Sequence, residues 1–287
     1  MNMYDLIPHD YLLRHINLAL EEDIKDGDHS SLACISKETL NKAKLIAKQE
    51  GIICGIDIAK KVYAMVDSSI KFTALMKDGD KIKKGDIVFK VEGSAIGILT
   101  SERTALNYMQ RLSGIATSTN EYVQIIKGTN AKLLDTRKTT PSMRLFEKYA
   151  VKVGGGFNHR IGLYDMIMLK DNHIDFAGGI SKAIGKTKEY LKSLNKDLKI
   201  EIEVRSLKEL DEVLSIGGVD RIMLDNFTPE LLSEAVKIIN SRYETEASGG
   251  INKDTILSFA KTGVDFISVG SLTHQIKSLD LSLVAES

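Results

Sequence analysis

The second half of the chain alternates short apolar runs with helical segments, and this alternation limits the possible folds more than any other feature. The apolar runs read as short buried strands at residues 131–136, 149–153, 165–169, 199–204, 221–224, 243–247 and 266–269. Strands that alternate with helices are typical of a parallel sheet. Seven candidate strands over roughly 140 residues favour an α/β barrel, either closed or incomplete, over a doubly wound sheet.

The first part of the chain lacks this alternation and reads as a mixed α+β region. Amphipathic spacing predicts helices at residues 11–23 and 56–66. Apolar runs between turn-forming clusters predict strands at residues 43–54, 70–76 and 87–91, the last two as a hairpin. We place the boundary between the two parts near residue 115.

A long helix is predicted to lead into the second part. It begins after the N-cap residue Ser101, has Glu102 in its first turn and runs to about Lys127. Gly114 lies inside this stretch and is a plausible point for a break.

Charge and composition exclude several classes of partner. Lys and Arg total 39 residues, as do Asp and Glu, so no net positive charge attracts nucleic acid or an anionic membrane. Any anion site must be built locally. The opening residues lack the pattern of a signal peptide, and no apolar run approaches the roughly 18 residues that span a bilayer. We expect a cytoplasmic protein in which Cys34 and Cys54 are reduced thiols.

Charged residues follow several predicted strands of the second half. In parallel α/β barrels the carboxyl ends of the strands form the catalytic face. The charged residues near these ends are Asp135, Arg137, Lys138, His159, Arg160, Lys170, Glu201, Glu203 and Asp225. Several cations beside a few acids predict a pocket for a multiply anionic, phosphorylated substrate with a divalent metal.

Small residues follow the last two predicted strands. Ser248, Gly249 and Gly250 end one strand, and Gly270 and Ser271 end the other. Because they lack bulky side chains, their backbone N–H groups can approach a phosphate at a helix N-terminus. Barrel proteins commonly bind phosphate at this position.

These stretches closely resemble the motifs of the quinolinate phosphoribosyltransferase family. The matching segments are Thr136-Arg137-Lys138-Thr139-Thr140-Pro141, Gly154-Gly155-Gly156-Phe157-Asn158-His159-Arg160-Ile161-Gly162-Leu163, Leu169-Lys170-Asp171-Asn172-His173, and residues 101–107, 201–204, 224–226, 247–251 and 268–271. The resemblance covers nearly the whole chain. It departs from the family pattern at Ser142-Met143, where family members often carry Gly-Leu, and in a slightly altered loop at residues 216–219.

The resemblance implies a two-domain architecture and a shared assembly. It implies an N-terminal α/β sandwich domain at residues 1–115, an open α/β barrel with parallel strands at residues 116–271, and C-terminal residues 272–287 that pack on the first domain. It also implies a homodimer in which the partner's N-terminal domain completes each barrel. Whether the assembly continues to a hexamer is left open.

The same resemblance implies an enzyme that transfers phosphoribosyl from phosphoribosyl pyrophosphate to quinolinate. The reaction releases pyrophosphate and carbon dioxide and forms nicotinate mononucleotide in de novo NAD biosynthesis. Lys138, Lys170, Glu203 and Asp225 would be the catalytic residues. Of these, Glu203 and Asp225 would hold Mg²⁺ directly or through water.

The remaining roles implied by the resemblance concern substrate binding. Arg103 would reach the partner's site. The two carboxylates of quinolinate would be held by Arg137, His159, Arg160 and Lys170. Lys138 and Lys170 would border phosphoribosyl pyrophosphate, whose 5′-phosphate would be taken by Ser248, Gly249, Gly250, Gly270 and Ser271. His173 and His274 receive no role.

Three other functions fit part of the pattern. One is that of the paralogous family found with molybdate transport, which shares the fold and many motifs. A non-catalytic barrel that senses a phosphorylated metabolite would keep the small-residue cradle but has no use for Arg137, Lys138 and Glu203 together. A nicotinate-specific, ATP-coupled phosphoribosyltransferase would need no pocket for a second carboxylate.

Overall fold

The computed structural model describes residues 3–286, which form eleven α-helices and twelve strands after a short 3-10 turn at Met3–Asp5. The helices are α1 His9–Ile24, α2 His29–Cys34, α3 Ile56–Val66, α4 Ala95–Ile125, α5 Arg144–Val153, α6 Asp171–Ala177, α7 Ile180–Leu194, α8 Leu207–Ile216, α9 Pro229–Ile239, α10 Ile256–Ala260 and α11 Ser271–His274. The strands are β1 Leu40–Ala47, β2 Gly51–Ile52, β3 Lys71–Ala74, β4 Lys81–Ile82, β5 Ile87–Ser94, β6 Lys132–Leu134, β7 Ile167–Leu169, β8 Ile200–Val204, β9 Arg221–Asp225, β10 Glu244–Ser248, β11 Phe266–Ser268 and β12 Leu281–Ala285.

The chain divides into two compact units. The first contains residues up to 120, residues 141–155 and the residues from 275 onward, and the second contains residues 121–140 and 156–274. The domain boundary near residue 115 stays a prediction, because the existence of two compact units does not show which part of the chain folds independently. Within residues 3–286, no helix has both the length and the apolar character needed to cross a membrane.

The first unit is built on a four-stranded antiparallel sheet in the order β12-β1-β5-β3. An aromatic cluster fills its core, with the ring centroid of Tyr63 on α3 lying 5.8 Å from that of Phe72 and 5.9 Å from that of Phe89. The helices predicted at residues 11–23 and 56–66 are present as α1 and α3. The predicted strand at residues 43–54 is two strands, since β2 leaves the sheet and pairs with β4.

The long helix α4 begins earlier than predicted and has no break. Ser101 lies inside it, fully buried, and its hydroxyl donates to the carbonyl of Gly97 at 2.7 Å, so Ser101 is not the N-cap. Gly114 continues the helix because another segment passes close to it: a Cβ there would lie 2.3 Å from the carbonyl oxygen of Lys277. The glycine therefore permits close packing and does not interrupt the helix.

The second unit is built on a six-stranded sheet in the order β6-β11-β10-β9-β8-β7, and every pair in it is parallel. Side chains alternate between its two faces. One face is apolar and carries Leu133, Leu169, Ile202, Val204, Ile222, Leu224, Ala247 and Ile267. The other face carries Glu201, Glu203, Arg221, Asp225, Glu246 and Ser248. In an open barrel covered by helices, this charged face lines the interior.

The sheet is open between β6 and β7, which are its two end strands. The strand predicted at residues 149–153 would have filled this position, but that prediction is wrong, because these residues end helix α5 in the first unit. The fully buried carboxylate of Glu147 on α5 accepts a hydrogen bond of 2.6 Å from Arg111 on α4, and such packing overrides the strand preference of a β-branched run. The other six predicted strands are confirmed, with small shifts at their ends.

Candidate active site

The second unit brings together all but one of the residues that the sequence assigns to the site. Most of them lie at or near the carboxyl ends of the strands: Arg137 and Lys138 after β6, Lys170 after β7, Glu203 in β8, Asp225 at the end of β9, Ser248, Gly249 and Gly250 at the end of β10, and Gly270 and Ser271 after β11. His159 and Arg160 follow Phe157, which bridges to Leu134 at the end of β6. Arg103 is the exception, because it lies on α4 in the first unit, where its side chain is exposed.

Lys170 and Glu203 form an ion pair on neighbouring strands. The Nζ atom of Lys170 lies 3.2 Å from Oε2 of Glu203, whose side chain is only 9% exposed, whereas that of Lys170 is 47% exposed. An ammonium group has three N–H donors, and this contact uses one of them. The pair therefore holds a cation at the rim of the sheet that can still donate to an anionic ligand.

Asp225 is held by two donors at the end of β9. The hydroxyl of Ser248 donates to its Oδ1 atom, and Nδ2 of Asn226 donates to Oδ2 at 2.6 Å. Asn226 adopts a left-handed φ of 57°, and a Cβ on Gly249 would lie 2.2 Å from its Oδ1. The hydroxyl of Ser248, a residue that the resemblance assigns to the 5′-phosphate, is thus directed at Asp225, and Gly249 is needed for this arrangement.

Glu203 and Asp225 are suitably placed to share a metal ion. Glu203 is in register with Met223, two residues before Asp225, so both carboxylates lie on the same face of adjacent strands. Mg²⁺ prefers oxygen ligands and is commonly held by one or two carboxylates together with substrate phosphates and water. The donor set at this edge therefore fits Mg²⁺.

The guanidinium groups of Arg137 and Arg160 lie close enough for their charges to interact. Burial and the neighbouring charge of Arg137 lower the pKa of Arg160. One amino group of Arg160 donates to the carbonyl of Met166 at 3.2 Å, which ties the side chain to the start of β7. Like charges held together favour the binding of an anion, and each guanidinium can grip a carboxylate with two parallel hydrogen bonds.

His159 lies in the interior with both ring nitrogens against protein groups. Its Nε2 atom lies 3.0 Å from a carboxylate oxygen of Glu201 and 3.4 Å from one of Glu246, and all three side chains are buried. Burial opposes a charge on the ring, but hydrogen bonds to the two carboxylates outweigh it and raise the pKa of His159.

A second contact decides where the proton of this cluster resides. The backbone N–H of Arg160 donates to Nδ1 of His159 at 2.7 Å, and a nitrogen that accepts a hydrogen bond carries no proton. Although the two carboxylates raise the pKa of His159, this contact leaves a ring proton on Nε2 alone. Burial and the charge of Glu246 also raise the pKa of Glu201.

The same contact argues against a metal ion among these three residues, although their ligand atoms lie within 4.8 Å of one another. A neutral imidazole that binds a metal through Nε2 must carry its proton on Nδ1, which here accepts a hydrogen bond. The charge of Glu246 is already offset by Arg221, whose guanidinium donates to it at 2.9 Å. The cluster is best described as an internal hydrogen-bonded network beneath the site.

Asp135 organises the segment that fills the open side of the barrel. It is fully buried at the end of β6 and accepts hydrogen bonds from the backbone N–H of His159 at 2.8 Å and from Nδ2 of Asn158 at 2.6 Å. The N–H of Phe157 also donates to the carbonyl of Leu133. Asp135 thereby fixes the backbone that carries His159 and Arg160, a role that the sequence analysis did not assign.

Lys138 is anchored through its backbone while its side chain is exposed. Its N–H donates to the hydroxyl of Thr136 at 3.1 Å, and its carbonyl accepts from the hydroxyl of the buried Thr273 on α11 at 2.9 Å. A Cβ on Gly270 would lie 3.1 Å from Cδ of Lys138 and 3.2 Å from Nε2 of His274. Gly270 is therefore the point on which both side chains pack.

Comparisons with known proteins agree on one family. Two family models match, described as the N-terminal domain of quinolinate phosphoribosyl transferase over residues 28–113 and its C-terminal domain over residues 115–284. Quinolinate phosphoribosyltransferase (decarboxylating) 1b from Nicotiana tabacum is 44% identical over 283 residues, covering 93% of this chain and 80% of that protein. The probable carboxylating nicotinate-nucleotide pyrophosphorylase of Bacillus subtilis is 42% identical over 272 residues, covering 95% and 91%. The structure of nicotinate-nucleotide pyrophosphorylase from Francisella tularensis superimposes with a TM-score of 0.92 at 44% identity, covering 98% of each chain.

Proposed function

The chain belongs to the quinolinate phosphoribosyltransferase family, and we propose that the strand ends of its second unit form the site of that reaction. The enzyme transfers phosphoribosyl from phosphoribosyl pyrophosphate to quinolinate with decarboxylation, which yields nicotinate mononucleotide for de novo NAD biosynthesis. The observation that carries the placement is the ion pair of the half-exposed Lys170 with the largely buried Glu203, in the unit that also carries Arg137 and Arg160.

Quinolinate binding follows from this arrangement. The substrate has two carboxylates on adjacent ring carbons, and two guanidinium forks can each hold one of them. Lys170 supplies a further cation at the rim. The ring of His159 supports this set through the N–H of Arg160, and its proton on Nε2 is held by Glu201.

The first chemical step is substitution at the ribose. The pyridine nitrogen forms a bond to C1′ while the bond from C1′ to the pyrophosphate oxygen breaks, and the electron pair leaves with pyrophosphate. Glu203 and Asp225 offset the positive charge that develops on the sugar, and Lys138 and Lys170 stabilise the leaving group. Bound Mg²⁺ would neutralise charge on pyrophosphate, with Glu203 and Asp225 as its protein ligands.

The second step is loss of carbon dioxide. Once the ring nitrogen carries the ribose, the bond between C2 and its carboxylate breaks, and the positively charged ring stabilises the electron pair left at C2. That carbon then takes up a proton. The residues need only hold the ring in place during this step, so no organic cofactor is required.

The 5′-phosphate is assigned to the small residues at the last two strand ends. Gly249, Gly250 and Gly270 leave room for a phosphate to approach backbone N–H groups, and Ser271 begins α11. Because the hydroxyl of Ser248 is engaged with Asp225, we expect Ser248 to contribute through its backbone.

The alternative functions are not favoured. Nearly the full length of the chain matches proteins named for the quinolinate reaction, including one named decarboxylating and one named carboxylating for the reverse direction. The molybdate-associated paralogue, the non-catalytic barrel and the nicotinate-specific enzyme find no comparable support. A cytoplasmic location remains a proposal, as some plant relatives are named as mitochondrial or chloroplastic.

The test is a product assay. Purified protein with quinolinate, phosphoribosyl pyrophosphate and Mg²⁺ should form nicotinate mononucleotide and carbon dioxide, whereas nicotinate in place of quinolinate should give no product. Chelation should abolish turnover and added Mg²⁺ restore it. Arg160→Ala should stay folded but lose at least about a hundredfold in turnover, as expected when an orienting contact is lost. Absence of product from the wild-type protein would point to the molybdate-associated paralogue.

A further inference from the structure

Lys170 lies between β7 and α6, and its place in the chain does not by itself determine where its ammonium group points. Its backbone angles are extended, with φ −95° and ψ 170°. Its side chain is half exposed and reaches Glu203 across to the next strand. A small rotation of the backbone at this point would move the ammonium group by several bond lengths, since a lysine side chain is long and flexible.

His173 holds the backbone of Lys170 from one turn ahead. The N–H of Lys170 donates to Nδ1 of His173 at 3.0 Å. The carbonyl of Lys170 accepts from the N–H of Ile174 at 3.0 Å. Both polar backbone groups of Lys170 are thus bonded to the first turn of α6, one through a side chain and one through the helix itself.

We propose that His173 is a positioning residue for Lys170. The third residue of a helix often accepts a hydrogen bond from the N–H of the N-cap residue, and the imidazole of His173 makes this bond to Lys170. The bond fixes the turn between β7 and α6, from which the ammonium group of Lys170 projects. The inference rests on the role proposed above for Lys170. It gives His173 a task that needs no contact with substrate.

The hydrogen bond from the N–H of Lys170 requires an acceptor atom at the position of Nδ1 of His173, but it does not require an imidazole ring. In histidine and in asparagine the acceptor atom is bonded to Cγ, so Oδ1 of asparagine can occupy the place of Nδ1. Phenylalanine keeps a ring of similar size but has no acceptor. The pair His173→Asn and His173→Phe therefore separates the hydrogen bond from the bulk of the side chain.

The experiment measures kcat and KM of both variants, of Lys170→Ala, and of each His173 variant combined with Lys170→Ala. We expect His173→Phe to lower kcat/KM about tenfold or more, His173→Asn to stay within about threefold of the wild type, and His173→Phe to add nothing in the Lys170→Ala background. Equal losses in the Asn and Phe variants would overturn the inference and indicate that the imidazole itself acts on substrate. Independent losses in the double variant would overturn it as well.

A second readout does not depend on turnover. Amide hydrogen exchange at Lys170 should be faster in His173→Phe than in the wild type and slow again in His173→Asn. Unchanged exchange in His173→Phe would contradict the proposed contact. Wild-type product formation is measured first, so a failure of the proposed reaction would show there, while the exchange result still tests the contact.

Discussion

Ser142 carries local backbone strain. It adopts a φ of 63°, in the left-handed region that residues with a Cβ avoid, and its carbonyl accepts a hydrogen bond of 2.6 Å from the hydroxyl of Tyr11. In the family that the sequence resembles, glycine often stands at this position. Glycine reaches this conformation without steric cost, so we expect the exchange to affect stability.

We therefore predict that Ser142→Gly raises the free energy of unfolding by up to about 1 kcal/mol. Relief of the left-handed strain should slightly exceed the entropy that glycine adds to the unfolded chain. The bond from Tyr11 should persist, because it is made to the backbone. Urea unfolding at constant m-value measures the change. Ser142→Ala is the control that keeps the Cβ, and a glycine variant no more stable than the alanine variant would count against strain as the cause.

The barrel sheet has an apolar outer face and a charged inner face. The position of the apolar face could be predicted from the sequence, whereas that of the charged face could not. Apolar runs such as residues 222–224 predict uniformly buried strands, and this prediction locates the strand ends and hence Lys170, Glu203 and Asp225. It does not reveal the alternation that places Glu201 and Arg221 on the inner face. Charged residues that recur two positions apart, as at Glu201 and Glu203, are the signal for an interior network.

Two further elements depended on contacts that sequence patterns do not record. The run from Tyr149 to Val153 fits a strand as well as a buried helix, and tertiary contacts such as that of Glu147 with Arg111 favour the helix. Gly114 fits a helix break as well as a close packing site. In both cases the deciding partner lies far away along the chain.

The open edge of the barrel leads to a prediction for Asp135. Asp135→Asn would place an amide where the N–H of His159 and the side chain of Asn158 now donate to a buried carboxylate. We expect a loss of about 1–3 kcal/mol in stability, the usual cost of a buried donor left without its acceptor. We also expect at least about a tenfold loss in kcat/KM, because the backbone of Arg160 moves.

Asp78→Asn is the matched control for this prediction. Asp78 is largely buried and accepts hydrogen bonds from the N–H groups of Gly55 and Ile56, but it lies in the first unit and carries no residue of the proposed site. It should lose stability with little change in kcat/KM, measured under conditions in which both variants are folded. If the two variants lost activity to the same extent, the loss would reflect general destabilisation and the role assigned to Asp135 would be wrong.

For the whole molecule, the position of Arg103 bears on the assembly. The other residues assigned to the site lie in the second unit, whereas Arg103 is exposed on α4 in the first unit. We propose that the protein is a homodimer in which the Arg103 of each subunit serves the site of its partner. Whether dimers associate into a hexamer can be decided by measuring the molar mass of the assembly by light scattering.

Mixing inactive subunits tests this sharing. A heterodimer of Arg103→Ala and Lys170→Ala subunits would contain one site with both residues intact, so confirmed heterodimers should regain about half of the wild-type turnover. A heterodimer of Lys138→Ala and Lys170→Ala subunits should regain none. Both residues belong to the second unit of one subunit, so each of the two sites would lack one of them. Recovery in neither mixture would argue that Arg103 acts within its own subunit or not at all.

Both sheets join strands that are far apart in the sequence. The antiparallel sheet pairs β1 with β12, and the parallel sheet pairs β6 with β11. Such pairings give the fold a high contact order, and they form late because a long loop must close first. While the chain is being synthesised, β1 lacks one of its two partner strands until β12 leaves the ribosome, and β6 lacks its partner strand until β11 does. Unpaired edges are templates for aggregation, so the yield of folded protein in a cell should depend on chaperones that act during translation.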